Sequence, residues 1–441
     1  MTKFLFKIKK LIIFLDFNIL FIFKYPNRYP TSITYIKLTE NIIFFLKIKK
    51  YKLFLKSILT IIFFLIVDII KIIYLPIIIL VYFSKYRFIN INFKQIGVLN
   101  YHLDLMIKVN NINGYKSIIL IPDISEFSFI KKIFKNLFII NNFLIYFFCI
   151  PLKHCRLISV FTEDVDHFLD KNQRFIKISP SSNILKQNKV KNQYVFKEKF
   201  IKNMKKLSFK KFGNINLSKL FVIHIRDFNY KNTSYQRGSS IKNYNKSINY
   251  LIKKKYCVIR LVNSNSTKIH LKSKKYFELN TEIQENQMLQ YYLIKNCNGF
   301  VCNSSGPSSI GSLFNTDTFH TNTFGVNTNA ITKKSTYIFK KIKYKNKILN
   351  FKDLVKNNIY NGIYLSEKFN SSGFIAVENS ENEIFMGLKD FLKQKKNISQ
   401  SLIQRKFKEK LPNYMEMKLY NSNISNSFMK INKKLFKGFN L

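Results

Sequence analysis

The sequence predicts an α/β fold: two domains built on parallel sheets, preceded by a hydrophobic, membrane-associating N-terminal segment. Three observations lead there. From about Phe88 onward, short apolar runs alternate with helical stretches, the pattern of strands joined by crossover helices. Residues 1–87 are a different material, long apolar runs broken by lysine. Finally, "FVCNSSGPSSIGSLF" (Phe300–Phe314) gathers serine, glycine and proline in a chain with only 12 glycines among 441 residues. It reads as a buried strand end, a tight polar turn and a helix opening near Pro307, whose hydroxyls and backbone N–H groups would suit an anion.

Composition narrows the partners. The formal net charge is +50, from 74 Lys and Arg against 24 Asp and Glu. Such an excess favours polyanions: anionic lipid headgroups, phosphorylated substrates or nucleic acid. The lysines are scattered through apolar stretches and form no recognisable nucleic-acid module, so an anionic membrane surface is the expected partner and nucleic acid is not. The chain has 5 cysteines, with no CxxC pair, and 6 dispersed histidines. That pattern fits a reducing cytoplasm and argues against a structural metal.

In chain order, "LIIFLDFNILFIF" (Leu11–Phe23) follows a basic start but lacks a small-residue cleavage site, so it makes a poor secretory signal. "ILTIIFFLIVDIIKIIYLPIIILVYF" (Ile58–Phe83) is long enough to span a bilayer, and its charged Asp68 and Lys71 lie three apart, on one helical face. Pro76 leaves a re-entrant hairpin or a pair of core helices open as alternatives. "FKQIGVLN" and "YHLDLMIK" read as strand, turn and helix. "YKSIILIP" (Tyr115–Pro122) and "LISVF" (Leu157–Phe161) read as strands, with a helical "SFIKKIFKNL" between them. Residues 180–216 are lysine-rich without a sustained period and are expected to hold the linker between domains. A second alternating series starts at "SKLFVIHIRD" (Ser218–Asp227). It continues through a helix near Ile241–Lys254, a strand at Tyr256–Val262 and a helix near Ile283–Asn296, up to the serine-rich turn. The expected organisation is a membrane-associating segment over 1–87, domains over 88–215 and 216–395, and a basic tail over 396–441.

"FVIHIRD" ends a strand with an imidazole, a guanidinium and a carboxylate. In open α/β sheets the carboxyl ends of strands face the ligand crevice. His224 and Arg226 share one strand face because side chains alternate, and Arg226 suits phosphate because its fork matches phosphate oxygens. Asp227 falls on the other face, where it would fix the loop. A strand-end salt bridge is the plain alternative for this motif.

The order "HIRD", "YQRGSSIKNYNKSINYLIKKKYCVIRLVN" and "FVCNSSGPSSIGSLFNTDTFHTN" resembles a family of bacterial glycosyltransferases from surface-carbohydrate gene clusters. There the corresponding pieces are HVRD, an Arg–Asn–Ala–Asp–Ile segment leading into a helix, VIRMGD, and a T/N-S-G-x-S turn followed by LFGTP. "FKQIGVLNYHLDLMIK" is similar to the family's IGHLALNTELYL region. The resemblance spans about residues 90–390. It implies a GT-B architecture, two Rossmann-like domains facing across a cleft, with a nucleotide-sugar donor as co-substrate and no other cofactor. It implies donor binding by His224, Arg226, Asp227, Arg237, Arg260, Ser304, Ser305, Gly306 and Ser308. Gly238, Ser239 and Ser240 stand where the family has Asn, Ala and Asp, and Val262–Asn263 replaces Gly–Asp.

Sugar transfer from a nucleoside diphosphate builds negative charge on the leaving group, which arginines and backbone N–H groups stabilise without a metal. An inverting transfer also needs a base, expected from the first domain; His102, Asp104 and Asp166 are the candidates, with Glu163 and Asp164 beside them. "DVD" (Asp164–Asp166) matches a metal-binding DxD only formally. The expected activity is sugar transfer to a lipid-linked glycan at the cytoplasmic face of the inner membrane. A sugar-nucleotide epimerase on the same fold and a non-catalytic polybasic protein are the alternatives.

Overall fold

The computed structural model describes residues 86–90, 116–121, 128–140, 194–228, 237–269, 271–323, 335–356, 373–396, 400–410 and 423–437, with isolated positions between 51 and 111. The runs Leu11–Phe23 and 59–83, the strand expected at Leu157–Phe161, and His102 and Asp166 lie outside the described residues. Among the described residues no helix is long and apolar enough to cross a membrane.

The centre of the fold is a seven-stranded sheet built from β4 (Leu220–His224), β5 (Cys257–Val262), β6 (Tyr276–Asn280), β7 (Gly299–Cys302), β8 (Thr318–Thr323), β9 (Ser335–Phe339) and β13 (Asn423–Ile424). Their spatial order is β13-β9-β8-β7-β4-β5-β6, and every pairing is parallel. The chain therefore winds outward from β4 in one direction through β5 and β6. It then returns to β7 and winds the other way. The order reverses between β4 and β7, where Val222 is level with Ile259 on one side and Phe300 on the other.

Sequence chemistry explains why these strands lie in the middle. β4 is apolar at successive positions because both its faces are covered, as parallel sheets require. Phe221 and Ile223 join one buried cluster with Val258, Val301 and Phe319. Leu220 and Val222 join another with Ile259, Phe300 and Cys302. The helices that cover the sheet include α2 (Glu198–Phe212), α3 (Asn245–Lys253), α4 (Gln284–Asn296), α5 (Ser308–Phe314) and α7 (Glu381–Lys396). Gly299 opens β7 because a Cβ there would lie 2.5 Å from the Phe221 ring.

Upstream, β1 (Tyr86–Asn90), β2 (Lys116–Leu120) and β3 (Phe138–Ile140) form a three-stranded sheet, with the single turn α1 (Ile130–Ile133) before β3. The expected helix "SFIKKIFKNL" thus contracts to one turn. Downstream, β10 (Lys341–Tyr344), β11 (Lys347–Ile348) and β12 (Phe374–Val377) make a small antiparallel sheet, followed in sequence by further helices α8 (Leu402–Lys410) and α9 (Asn426–Ile431) after the short α6 (Phe351–Lys356).

Three expectations change. Phe88–Phe143 and Glu163–Leu441 form one compact unit, Met1–Arg87 with Leu144–Thr162 another. The division expected near 215 is bridged by one apolar cluster, in which Ile119, Phe134 and Phe196 join Leu220 and Val222. Within the lysine-rich stretch expected as linker lies α2, whose Phe200, Met204, Ser208 and Phe212 recur every fourth residue and are buried. The stretch expected as a tail supplies β13 at the sheet edge, and α9, whose cap Ser425 is tied to Asp390 of α7 at 2.6 Å.

Candidate functional site

The carboxyl ends of β4 and β7 flank the point where strand order reverses, the place where an open α/β sheet leaves a crevice for a ligand. His224 ends β4 there, and its Nδ1 lies 2.9 Å from Ser305 Oγ. Ser305 Oγ in turn donates to the Asn303 carbonyl at 3.2 Å, so the network assigns the proton to His224 Nδ1 and leaves Nε2 as acceptor. Burial, followed by the charges of Arg226 and Arg260, lowers the His224 pKa to about 3. The imidazole is therefore neutral at pH 7.

Beyond His224 the strands diverge, and Asn303 takes over the work of the backbone ladder. Its Oδ1 accepts from Arg226 N at 2.9 Å, and its Nδ2 donates to Arg226 O at 3.2 Å. The same Nδ2 reaches Arg237 O at 3.3 Å and Ser239 Oγ at 3.0 Å. Ser239 N closes the ring on Arg226 O at 2.9 Å. One fully buried amide thus fixes the segments carrying both Arg226 and Arg237. The Arg237 guanidinium donates from Nε to Ser304 O at 3.3 Å. Burial, and next the neighbouring Arg226 charge, lowers its pKa to about 10. Both cations raise each other's energy, and an anion between them would relieve that strain.

The serine-rich turn is wound more tightly than expected. The amides of Ser308, Ser309 and Ile310 bond back to the carbonyls of Ser305, Gly306 and Pro307 at 3.2, 3.1 and 3.0 Å. The hydroxyls of Ser308 and Ser309 donate to Ser305 O and Gly306 O at 2.5 and 2.7 Å. These groups hold the turn's shape instead of standing open as donors. Gly306 does not have a positive φ: among described glycines only Gly213 and Gly373 do.

Asp227 and Arg260 meet elsewhere, on the loop after β5. Asp227 Oδ2 accepts from Thr267 N at 2.9 Å, while Arg260 Nη1 donates to Thr267 O at 2.7 Å and pairs with Glu278 at 2.9 Å. Arg260 is 1% exposed, and its Nε and Nη2 have no hydrogen-bond partner among the described residues. Asp104 accepts from Tyr194 Oη at 3.0 Å, and Tyr194 packs on Phe134 and Phe314.

The structure adds residues the motifs did not single out. Lys340, directly after β9, is 3% exposed and donates to Gly238 O at 2.5 Å, with its ammonium 5.7 Å from the Phe228 ring centre. Burial lowers its pKa to about 8, against an opposing pull from Glu378. Glu378 accepts from Ser240 N at 2.7 Å and Asn243 Nδ2 at 3.3 Å. A carboxylate therefore stands beside Ser240, where the resembled family carries its own Asp. Asn303 was not singled out either; its one signal is a polar amide directly after the "FVC" strand. Lys340 and Glu378 had no signal beyond a strand-end position.

No model of a known protein family matches the chain, and no curated protein matches it. Among solved structures it is similar to a glycosyl transferase family 9 protein from Veillonella parvula DSM 2008. That match has 9% identity and a TM-score of 0.45, over 71% of this chain and 98% of the other. It is also similar to the E. coli ADP-heptose lps heptosyltransferase II, with 10% identity and a TM-score of 0.40, over 70% of this chain and 99% of the other. At such scores neither likeness bears on function.

Proposed function

We propose that this chain is a glycosyltransferase that moves a sugar from a nucleotide-sugar donor to a glycan acceptor in surface-polysaccharide synthesis. The observation that carries the reading is the convergence of Arg226 and Arg237 on the Asn303–Ser305 turn, at the point where strand order reverses. Two mutually repelling guanidiniums, on backbone segments fixed by one buried amide, suit a diphosphate better than a neutral ligand. As the sugar–oxygen bond breaks, charge grows on the departing nucleoside diphosphate, and fixed cations stabilise it without reorganising. Neutral His224 adds an acceptor at Nε2 for a ligand hydroxyl but no charge. The motif order HIRD, YCVIRLV and NSSGPS supports the same class and a GT-B arrangement.

The apolar run Ile58–Phe83 and the +50 charge favour a lipid-linked acceptor at the cytoplasmic face of the inner membrane. His102, Asp104 and Asp166 remain the candidates for the base. A thermal-shift screen of purified protein against a panel of nucleotide sugars tests the proposal. A donor at a hundred times its Kd adds about 2.7 kcal/mol of stability. Absence of any shift with nucleotide sugars and nucleoside diphosphates would refute it. Turnover of the donor found should survive EDTA; loss restored by Mn²⁺ or Mg²⁺ would shift the reading to the metal-binding DVD element.

A further inference from the structure

The buried stripe of α2 turns its other face outward. Lys199, Lys202, Lys206 and Lys210 recur at helical spacing on that face, with Lys205 on its flank, all exposed. Phe209 lies within this band and is 65% exposed. On the buried side Phe200 packs 4.9 Å from Phe196, and Phe212 packs 5.3 Å from Phe277, so the helix cannot roll to hide Phe209. The band continues at the N-terminal end of α2. Lys197 N and Nζ bond to the carbonyls of Ile133 and Lys131 at 2.9 and 2.8 Å, and Lys135 N bonds to Val195 O at 2.8 Å. That contact brings exposed Lys131, Lys132 and Lys135 alongside Val195, which is 44% exposed, while Phe138 of the adjoining β3 is 61% exposed. Glu198 is the one acid of α2's first turn, and its last turn is basic.

We infer that this face is a docking surface for a lipid bilayer bearing anionic headgroups. Lysine alone would suit any polyanion. Apolar side chains set among the lysines are what a bilayer adds a use for, because phenylalanine and valine can enter the headgroup boundary while the ammonium groups meet phosphates. Valine offers nothing to a nucleic-acid base to stack on, which favours the bilayer over RNA. A helix of 15 residues is about 22 Å long and can lie flat on such a surface. The inference stands apart from the donor site and holds whatever sugar is transferred.

The chain contains no tryptophan, so Phe209→Trp installs a single optical probe in the full-length protein. Emission should shift to the blue, and be quenched by brominated acyl chains, with vesicles of phosphatidylcholine plus phosphatidylglycerol. Vesicles of phosphatidylcholine alone should do neither, and high salt should reverse the shift. Because the indole reports only its own surroundings, binding through the apolar N-terminal run cannot imitate this result. Each lysine at an anionic surface contributes about fivefold in partition, so replacing Lys199, Lys202, Lys206 and Lys210 together by Gln should weaken the anionic-lipid response by roughly 10²–10³-fold. Val195→Trp repeats the measurement at the other end of the face. An indole that keeps its aqueous emission while the protein floats with anionic vesicles would overturn the inference. So would an RNA homopolymer producing the shift that vesicles do not.

Discussion

Two histidines end up beside β7, and they differ in everything except their pKa. His224 closes β4 at the sheet's carboxyl edge, with Ser305 on one nitrogen and Arg226 and Arg260 as charged neighbours. His320 sits inside β8, 2% exposed, stacked on Tyr337 at 4.7 Å with the rings 2° from parallel. Its Nδ1 lies 3.4 Å from Cys302 Sγ, and its Nε2 has no partner among the described residues. Burial alone brings His320 to about 3; His224 reaches the same value through burial with two cations. Burial also raises the Cys302 thiol, so the Cys302–His320 pair is neutral on both sides. A shifted pKa therefore does not distinguish a site from a core. Surrounding charge and position on the sheet edge do.

The largest expected effect lies at the residue that builds the edge. Asn303→Ala leaves the buried backbone groups of Arg226, Arg237 O and the Ser239 hydroxyl without their amide. That should cost about 2–4 kcal/mol in denaturant unfolding, and weaken nucleoside diphosphate binding as both arginines lose their register. A stable variant with undiminished affinity would show that the amide does not organise the edge.

Arg226→Ala should separate site from core more cleanly. Loss of a charge-assisted contact of about 1.5–3 kcal/mol predicts a ten- to hundredfold drop in nucleoside diphosphate affinity by isothermal titration. Arg226→Lys should recover only part, since an ammonium lacks the fork. If Arg226→Ala binds as well as the parent, the diphosphate belongs elsewhere.

The smallest effect at neutral pH is expected from His320→Phe, which keeps the stack on Tyr337 and removes the unpartnered nitrogen. Stability at pH 7 should change by no more than about 1 kcal/mol, with affinity untouched. In the parent, the unfolded chain takes up a proton near the ordinary value of 6.5, while folded His320 resists until about 3. Between those values the unfolded state binds more protons, so stability falls as pH falls through the window. The variant should lose this contribution, at most about 1.4 kcal/mol per pH unit, seen as a flatter Tm profile between pH 6.5 and 4. Equal acid sensitivity in both proteins would mean that His320 is protonated in the fold.

Much of the sheet was legible because its strands are apolar enough to announce themselves. "LFVIH", "CVIRLV" and "GFVC" could hardly be anything but buried strands, and the helices between them fixed the parallel class. β8 could not be read. "TFHTNT" is polar, yet all its residues are buried. Several of its polar groups are satisfied by partners far along the chain. Thr321 Oγ1 meets Tyr244 Oη at 2.6 Å, and Asn322 and Asn379 exchange backbone-to-side-chain bonds at 2.7 Å each way. α2 was hidden for the opposite reason, since lysines on its outer face diluted a stripe of only one buried residue per turn.

Local chemistry, then, was settled by sequence. Strands written in Ile, Val and Phe must be buried, a basic residue two positions past such a strand falls at its carboxyl end, and small residues after "FVC" must turn. Which ends meet is a matter of strand order. The segments carrying Arg226, Arg237 and Asn303 come together because β7 returns to lie beside β4. Arg260, from an equally suggestive "VIRLV", is drawn instead to Glu278 on neighbouring β6. Both guanidiniums had the same charge to offer. Only the packed sheet determined that Arg260 would pair with Glu278 inside the protein, because an ion pair depends on distances that no local pattern encodes.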